Sequence, residues 1–342
     1  MQLNNKSRLS SIVFFPISLL YWGGVIIRDL LYRLKIFKTN KVSCKIISVG
    51  NVSIGGTGKT PTAIYLTCLL KNLNLKVAII SRGYKRNTKG LLVASRGDGP
   101  TCTLSDCGDE PYMMAKKLKN IPIVVDKNRY RGCTYLVNNF SPDVIIMDDG
   151  FQHKSIYRDM DLVLIDGSTN YNDYKLLPNG ILREPWHELK RADAILVTKR
   201  KPGPLLKRKL NELSIPIFQT RITAMIGEAY QQPVKKIPTN EKVFLFSGIG
   251  NPQFFKKTIK HMGFNICGTK KFADHFSYSK KDVNNIEESA KTLNAKYLLT
   301  TEKDWFKLEK LEMRLPVIVI EIKIKVEKEN EFLNLFNNQA YI

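Results

Sequence analysis

The hydrophobic positions of this chain fall into three patterns, and each predicts a different kind of element. From Leu9 to Ile27, nineteen residues pass without a charge. Beyond them Ile27, Leu30, Leu31 and Leu34 recur at helical spacing, leaving Arg28, Arg33, Lys35 and Lys38 to face anionic headgroups. Nineteen residues is the short limit for spanning a bilayer, and Pro16, three serines and the Gly23-Gly24 pair weaken a span. Tyr21 and Trp22 beside basic residues suit the membrane–water interface, so a helix lying in that interface is expected. A true span, or a helix packed on the protein's own core, are the alternatives. No small-x-small cleavage site precedes Arg28, which argues against a signal peptide.

The second pattern is a series of short, non-alternating apolar runs separated by helix-length segments. They begin at Ile46 and continue at Val77–Ser81, 90–95, 121–126, 144–149, 161–166, 193–198 and 215–220. Such runs predict a mainly parallel sheet covered on both faces. Near Ile226 the pattern changes: Gln231-Gln232-Pro233 and Pro238-Thr239-Asn240 read as a linker, and Val243–Ser247 opens a smaller α/β unit. That unit contains a helix near 279–293 and a further run at 297–304. The third pattern closes the chain, where Ile318, Ile320, Ile322, Ile324 and Val326 alternate with Glu321, Lys323 and Lys325, as in a strand with one wet face. The predicted organisation is an interface helix over 1–40, a larger domain over 41–225 and a smaller domain over 226–342, its last strands packing back on the larger one.

Composition changes this picture in two ways. A formal charge of +23 implies attraction to a polyanion, whether nucleotide, nucleic acid or anionic membrane, although lysine is also abundant throughout. No nucleic-acid-binding motif accompanies it, so nucleic acid is not an expected partner, and no obligate protein partner is evident. The six cysteines lack metal-ligand spacing and only four histidines could assist them, which indicates neither zinc nor a disulfide framework and fits a reducing compartment.

The candidate chemistry starts at Ile46–Pro61, an apolar run opening into Gly55-Gly56-Thr57-Gly58-Lys59-Thr60 and then a helical pattern at Ile64, Leu66, Leu69, Leu70 and Leu73. A strand, a glycine-rich loop and a helix start cradle a polyphosphate. Backbone N–H groups face the phosphates, Lys59 reaches the β and γ oxygens, and the Thr60 hydroxyl takes Mg2+. Ser53 stands where the usual pattern has its first glycine. ATP or GTP with Mg2+ is the expected ligand, and the fold class is α/β with a P-loop NTPase-like sheet. Ligands in such sheets lie at the carboxyl ends of strands. Asp148-Asp149, after four apolar residues, suits the acidic element that holds Mg2+, with strand-end capping as the alternative. Arg183-Glu184, in a turn-rich stretch, could steady a transferred phosphoryl group and join the metal shell, or form only a surface ion pair. Asp109 reads from spacing as a helix cap, Asp161, Asp166 and Asp193 as strand-edge residues, and His153 as ambiguous.

Taken together, Gly50-Asn51 with Gly55–Pro61, Ser81-Arg82-Gly83-Tyr84, Gly108-Asp109-Glu110-Pro111, Asp148–His153, Leu182–Pro185, Asp274-His275-Phe276 with Tyr278, and Thr301-Glu302-Lys303-Asp304 resemble the tetraacyldisaccharide 4'-kinase family. The motifs follow in order over nearly the whole chain. The resemblance implies ATP-dependent phosphorylation of the 4'-hydroxyl of a lipid A disaccharide 1-phosphate, with the N-terminal helix docked on the cytoplasmic face of the inner membrane. It also implies that Asp109 is the base and His275 its partner, overriding the cap reading. Phe276 stands where many members of that family carry a second histidine. The alternatives are a membrane-associated P-loop NTPase and a small-molecule kinase with another acceptor.

Overall fold

The structure, a computed structural model, describes residues 3–227 and 240–337, with side chains of the first helix from residue 16 onward. The expected linker at Gln231-Gln232-Pro233 and Pro238-Thr239 lies outside the described residues. A helix α1 (Leu3–Arg33) precedes β1 (Lys45–Asn51), α2 (Lys59–Asn72), β2 (Val77–Ser81), β3 (Leu92–Ser95), α3 (Leu104–Cys107), α4 (Asp109–Lys117), β4 (Ile123–Val125), α5 (Arg129–Phe140), β5 (Val144–Asp148) and β6 (Met160–Asp166). There follow β7 (Ala194–Thr198), α6 (Pro204–Asn211), β8 (Ile217–Ile226), β9 (Lys242–Ser247), α7 (Pro252–His261), β10 (Asn265–Lys271), α8 (Lys280–Thr292), β11 (Tyr297–Thr301), α9 (Glu302–Leu308), β12 (Val317–Val326) and α10 (Glu329–Asn337).

These strands form one sheet in the order β10-β9-β11-β12-β8-β7-β6-β1-β5-β2-β4-β3. All pairings are parallel except β3 with β4 and β8 with β12. The apolar runs are unbroken because both sheet faces are covered. Along β1, Ile47 and Val49 enter a core with Leu66 and Leu70 of α2 and Met114 of α4, while Ile46 packs on the opposite face with Cys133 and Leu136 of α5. In β9, Phe244 and Phe246 join one core and Val243 and Leu245 the other.

The last strand departs from the expected alternation. Val317–Glu321 is buried at every position, and only from Ile322 onward do exposed lysines alternate with buried residues. The first half lies parallel to β11 inside the sheet, whereas the second half runs antiparallel to β8. The chain then returns to the first half of the molecule: Phe332 and Phe336 of α10 share a core with Leu66, Leu70 and Phe218.

Among the described residues no helix is long and apolar enough to cross a membrane. Ile17, Leu20, Ile27 and Leu30 are exposed along α1, Leu20 to 78%, as is Leu34 just past its end, while Ser18, Val25 and Asp29 are buried against the rest of the chain. Phe332→Ala removes a ring packed edge-on against Phe218 and Phe336. It should destabilise the protein by about 3–5 kcal/mol, read as a lower urea midpoint.

Candidate active site

β1 sits in the sheet between β5 and β6, so the loop that leaves its carboxyl end is flanked by two strand ends. That loop turns at Gly55 (φ 103°) and Gly58 (φ 93°), left-handed conformations that favour glycine. Gly58 is the N-cap of α2 and carries no side-chain cap, which leaves the first-turn N–H groups to an anion. Lys59 Nζ lies 3.3 Å from Asn51 Oδ1 and 3.6 Å from Asp149 Oδ1. Thr60 is buried, and the buried Thr57 hydroxyl has no hydrogen-bond partner among the described residues. The segment carrying Arg183 lies along this loop: Ile54 N donates to Ile181 O at 2.8 Å and Arg183 N to Val52 O at 2.7 Å.

The register Val49↔Asp148 brings the acidic pair beside the loop. Asp148 is fully buried; Oδ2 accepts from Ser81 Oγ at 3.1 Å, while Oδ1 has no partner among the described residues. Burial, and next the charges of Glu110 and Asp149, push its pKa up. Asp149, with φ 51°, faces Lys59 and, at 3.3 Å, Arg183 Nη1. Burial would raise its pKa too, but the Lys59 and Arg183 charges outweigh it and hold the carboxyl below its ordinary value. Behind the pair, Arg129 is buried, with Nη2 3.5 Å from Asp148 O; burial pushes its guanidinium down to about 10. The sequence reading missed Arg129, which at the start of a helix looks like an ordinary surface residue.

Asp109 is not a cap. Gly108 occupies the N-cap of α4 at φ 91°, where a Cβ would meet the Tyr84 carbonyl at 2.9 Å, and Asp109 is the first helical residue. Its Oδ2 lies 3.0 Å from His275 Nδ1 and 2.9 Å from Lys307 Nζ. Burial alone would raise the Asp109 pKa, but the His275 hydrogen bond and the charges of Lys307 and Lys303 bring it down to about 2. On the other side of the imidazole, Lys303 Nζ is 3.3 Å from His275 Nε2 and 3.2 Å from Asp274 Oδ1. Tyr84, 55% exposed, sets its ring edge-on to His275 at 5.3 Å. Lys307 also escaped the sequence reading; its spacing of four from Lys303 on one short helix was the available signal. Phe276 packs among Phe272 and Tyr278, so aromatic packing fills the position of the second histidine.

Glu184 does not face the phosphate loop as a free ligand. It is 0% exposed, with Oε1 held by Arg28 Nη2 at 2.6 Å and Oε2 by Arg191 Nη2 at 2.5 Å, so joining a metal shell would require opening two ion pairs. Arg28 belongs to α1, and two further contacts bind that helix to the same segment: Tyr21 donates to Arg183 O at 2.7 Å, and Asn179 N donates to Ser18 Oγ at 3.3 Å. His153 bonds Ser155 Oγ at 2.8 Å, and burial with the charges of Arg129, Arg158 and Arg82 pushes it down to about 4. Asp161, Asp166 and Asp193 act as expected at strand edges, on Arg158, Lys199 and the Asp161 N–H respectively. Phosphate loop, acidic pair and Arg183 lie at the carboxyl ends of β1 and β5, and the end of β2 connects them to the Asp109–His275 couple: Ser81 bonds Asp148, and the Tyr84 carbonyl packs against Gly108. Such a site can grip a triphosphate and accept a proton beside it.

A model of the tetraacyldisaccharide-1-P 4'-kinase family matches residues 10–341. The tetraacyldisaccharide 4'-kinase of Desulfotalea psychrophila is 37% identical over 313 residues, covering 89% of each chain. That of Aquifex aeolicus is 35% identical over 326 residues, covering 95% of this chain and 98% of its own. The crystal structure of LpxK from Aquifex aeolicus in complex with ATP superposes with a TM-score of 0.77 at 31% identity, covering 96% of this chain and 99% of that one.

The depressed Asp109 pKa has a consequence for stability. A carboxyl at about 2 when folded, against its ordinary 3.8, contributes stability that is fully present above 3.8 and lost as the pH falls through about 2. The difference in unfolding free energy between wild type and Asp109→Asn should therefore be constant above about pH 5 and shrink towards pH 2, as measured by urea denaturation at each pH.

Proposed function

Because the chain belongs to the tetraacyldisaccharide-1-P 4'-kinase family, we propose that Asp109 takes the proton of the sugar 4'-hydroxyl as that oxygen attacks the γ-phosphorus of ATP. The reaction is ATP-dependent phosphorylation of the 4'-hydroxyl of a tetraacyldisaccharide 1-phosphate, a lipid A precursor. The oxygen–hydrogen bond breaks with its proton going to the carboxylate, the new phosphorus–oxygen bond forms, and ADP departs with the electrons of the bond to the γ-phosphorus. The observation that carries this assignment is the 3.0 Å contact between Asp109 and His275. A carboxyl at about 2 is a weak base, which suits a loose phosphoryl-transfer transition state in which the hydroxyl loses its proton late.

Gly55, Gly56, Thr57, Gly58 and Lys59 bind the ATP phosphates in this reading, and Arg183 steadies the transferred group while its partner Asp149 keeps it in place. Mg2+ fits the residues present. Asp148 Oδ1 is a buried oxygen without a partner, and one or two carboxylates with substrate phosphates are the usual surroundings of this ion. Thr60, Asp148 and Asp149 would hold it, and when bound it neutralises charge on the β and γ oxygens. Glu184 is assigned instead to bracing the Arg183 segment, because both its oxygens are engaged by arginines.

We also propose that α1 rests on the anionic cytoplasmic face of the inner membrane, making the enzyme peripheral there. Its exposed Ile17, Leu20, Ile27 and Leu34 support this, as do Arg33, Lys35 and Lys38 at its end. In this scheme residues 1–40 dock on the membrane, 41–225 carry the nucleotide and 226–342 supply the imidazole.

Asp109→Ala should lower the rate of phosphate transfer from labelled ATP to the lipid disaccharide by at least about a hundredfold, with ATP affinity largely kept. Near-normal turnover would remove Asp109 from the mechanism. Leu20→Ser combined with Leu34→Ser should reduce partition into anionic vesicles without altering the melting temperature; unchanged partition would refute the anchor.

A further inference from the structure

The second half of the chain contributes more to the reacting end of the sheet than one imidazole. Lys303 and Lys307 stand four residues apart on α9, so both ammonium groups lie on one face of that helix. They grip the Asp109–His275 couple from opposite ends. Lys307, whose side chain is 4% exposed, reaches Asp109 Oδ2 at 2.9 Å, the same oxygen that His275 Nδ1 contacts at 3.0 Å. Lys303 reaches His275 Nε2 at 3.3 Å. From these contacts we propose that Lys307 and Lys303 are positioning residues for phosphoryl transfer: Lys307 pins one oxygen of Asp109 and leaves Oδ1 to the acceptor hydroxyl, and Lys303 fixes the imidazole that shares the pinned oxygen. The proposal rests on the reading of Asp109 as the proton acceptor.

An ammonium can only donate, so the nitrogen it faces must accept, and His275 then carries its proton on Nδ1 and donates to Asp109. Asp274, with Oδ2 3.9 Å from His275 Nε2 and Oδ1 3.2 Å from Lys303, keeps the lysine in place. With Oδ2 held by the His275 hydrogen bond and the Lys307 ion pair, Asp109 cannot rotate without breaking both contacts, and the direction of its other oxygen is set. The charged and titratable groups around Asp109 are Lys307 and Lys303 from α9, His275 and Asp274 from the loop after β10, Glu110 beside it on α4, and Tyr84 against the imidazole. A buried ammonium beside a carboxylate also keeps that carboxylate ionised.

The test compares Lys307→Met, Lys307→Arg and Lys303→Met with wild type and Asp109→Asn in the full-length enzyme, assayed with ATP, Mg2+ and the lipid disaccharide. Lys307→Met should lower kcat by about tenfold or more with KM for ATP unchanged within about twofold. The Asp109 carboxyl titration, followed by NMR, should move up by more than about one pH unit, since the neighbouring positive charge is gone. Lys307→Arg, which keeps the charge, should restore much of kcat and return the titration towards the wild-type position. Lys303→Met, at the more exposed lysine, should give a smaller shift in the same direction and keeps the idea testable if Lys307→Met does not fold. If Asp109→Asn is inactive but the lysine variants keep wild-type kcat and titration, the positioning role is overturned while the base survives. Wild-type turnover in Asp109→Asn overturns both, and equal losses in Lys307→Met and Lys307→Arg with no titration change reduce Lys307 to packing and overturn the proposal.

Discussion

A carboxylate can serve this site only if something holds it ionised, dry and pointed, and the groups that do so come from 166 and more residues further along the chain. The Asp109–His275–Lys307 contact is therefore the constraint around which the architecture is arranged. It requires that α4, after the third strand, and α9, after the eleventh, meet at one end of the sheet. The continuous ladder through β8 and β12 meets that requirement. Because β12 lies antiparallel to β8 and parallel to β11, the later strands extend the sheet already built around β1. The packing of Phe332 and Phe336 against α2 and Phe218 holds α10 on the first half of the molecule. A slip at the β8–β12 pairing would move the imidazole and both lysines together.

The acids of the site show how surroundings divide one side-chain chemistry into separate tasks. Asp148, fully buried beside Glu110 and Asp149, is pushed up, whereas Asp149 and Asp109 are held down by the cations that face them. A buried carboxylate without a countercharge is costly, and the orphaned Asp148 Oδ1 marks the place where a cation would relieve that cost. Asp109 already has its cations within the chain. In the proposed reading the two carboxylates take different partners, a metal ion for Asp148 and a hydroxyl proton for Asp109.

α1 has two faces with opposite requirements. One is bonded to the segment carrying Arg183 through Ser18, Tyr21 and Arg28, and the other leaves large apolar residues uncovered. Glu184 at the centre of the bonded face is wholly buried, so the helix is fastened by a charge pair that would be expensive to break. The element read as an anchor is also a brace for the loop next to the phosphate site.

Much of this was legible in the residues. The unbroken apolar runs determined a two-sided parallel sheet, and the strand–glycine loop–lysine order determined a polyphosphate grip, because both depend on local periodicity and backbone freedom. The ordered motifs, Gly108–Pro111 and Asp274–Phe276 among them, identified the family that the comparisons show. Spacing alone made Asp109 a helix cap, since a carboxylate at a helix start looks the same whether or not an imidazole faces it from a distant segment. The alternation at the chain's end suggested a wet face throughout, but only the neighbouring strands could decide that its first half is buried. Arg129 carries no local sign of what it touches, Lys303 and Lys307 show only their spacing of four and not their partners, and Glu184 looked free for a metal until Arg28 and Arg191 closed on it. Contacts between residues far apart in sequence depend on how the sheet brings its strands together, and only the tertiary structure decides that.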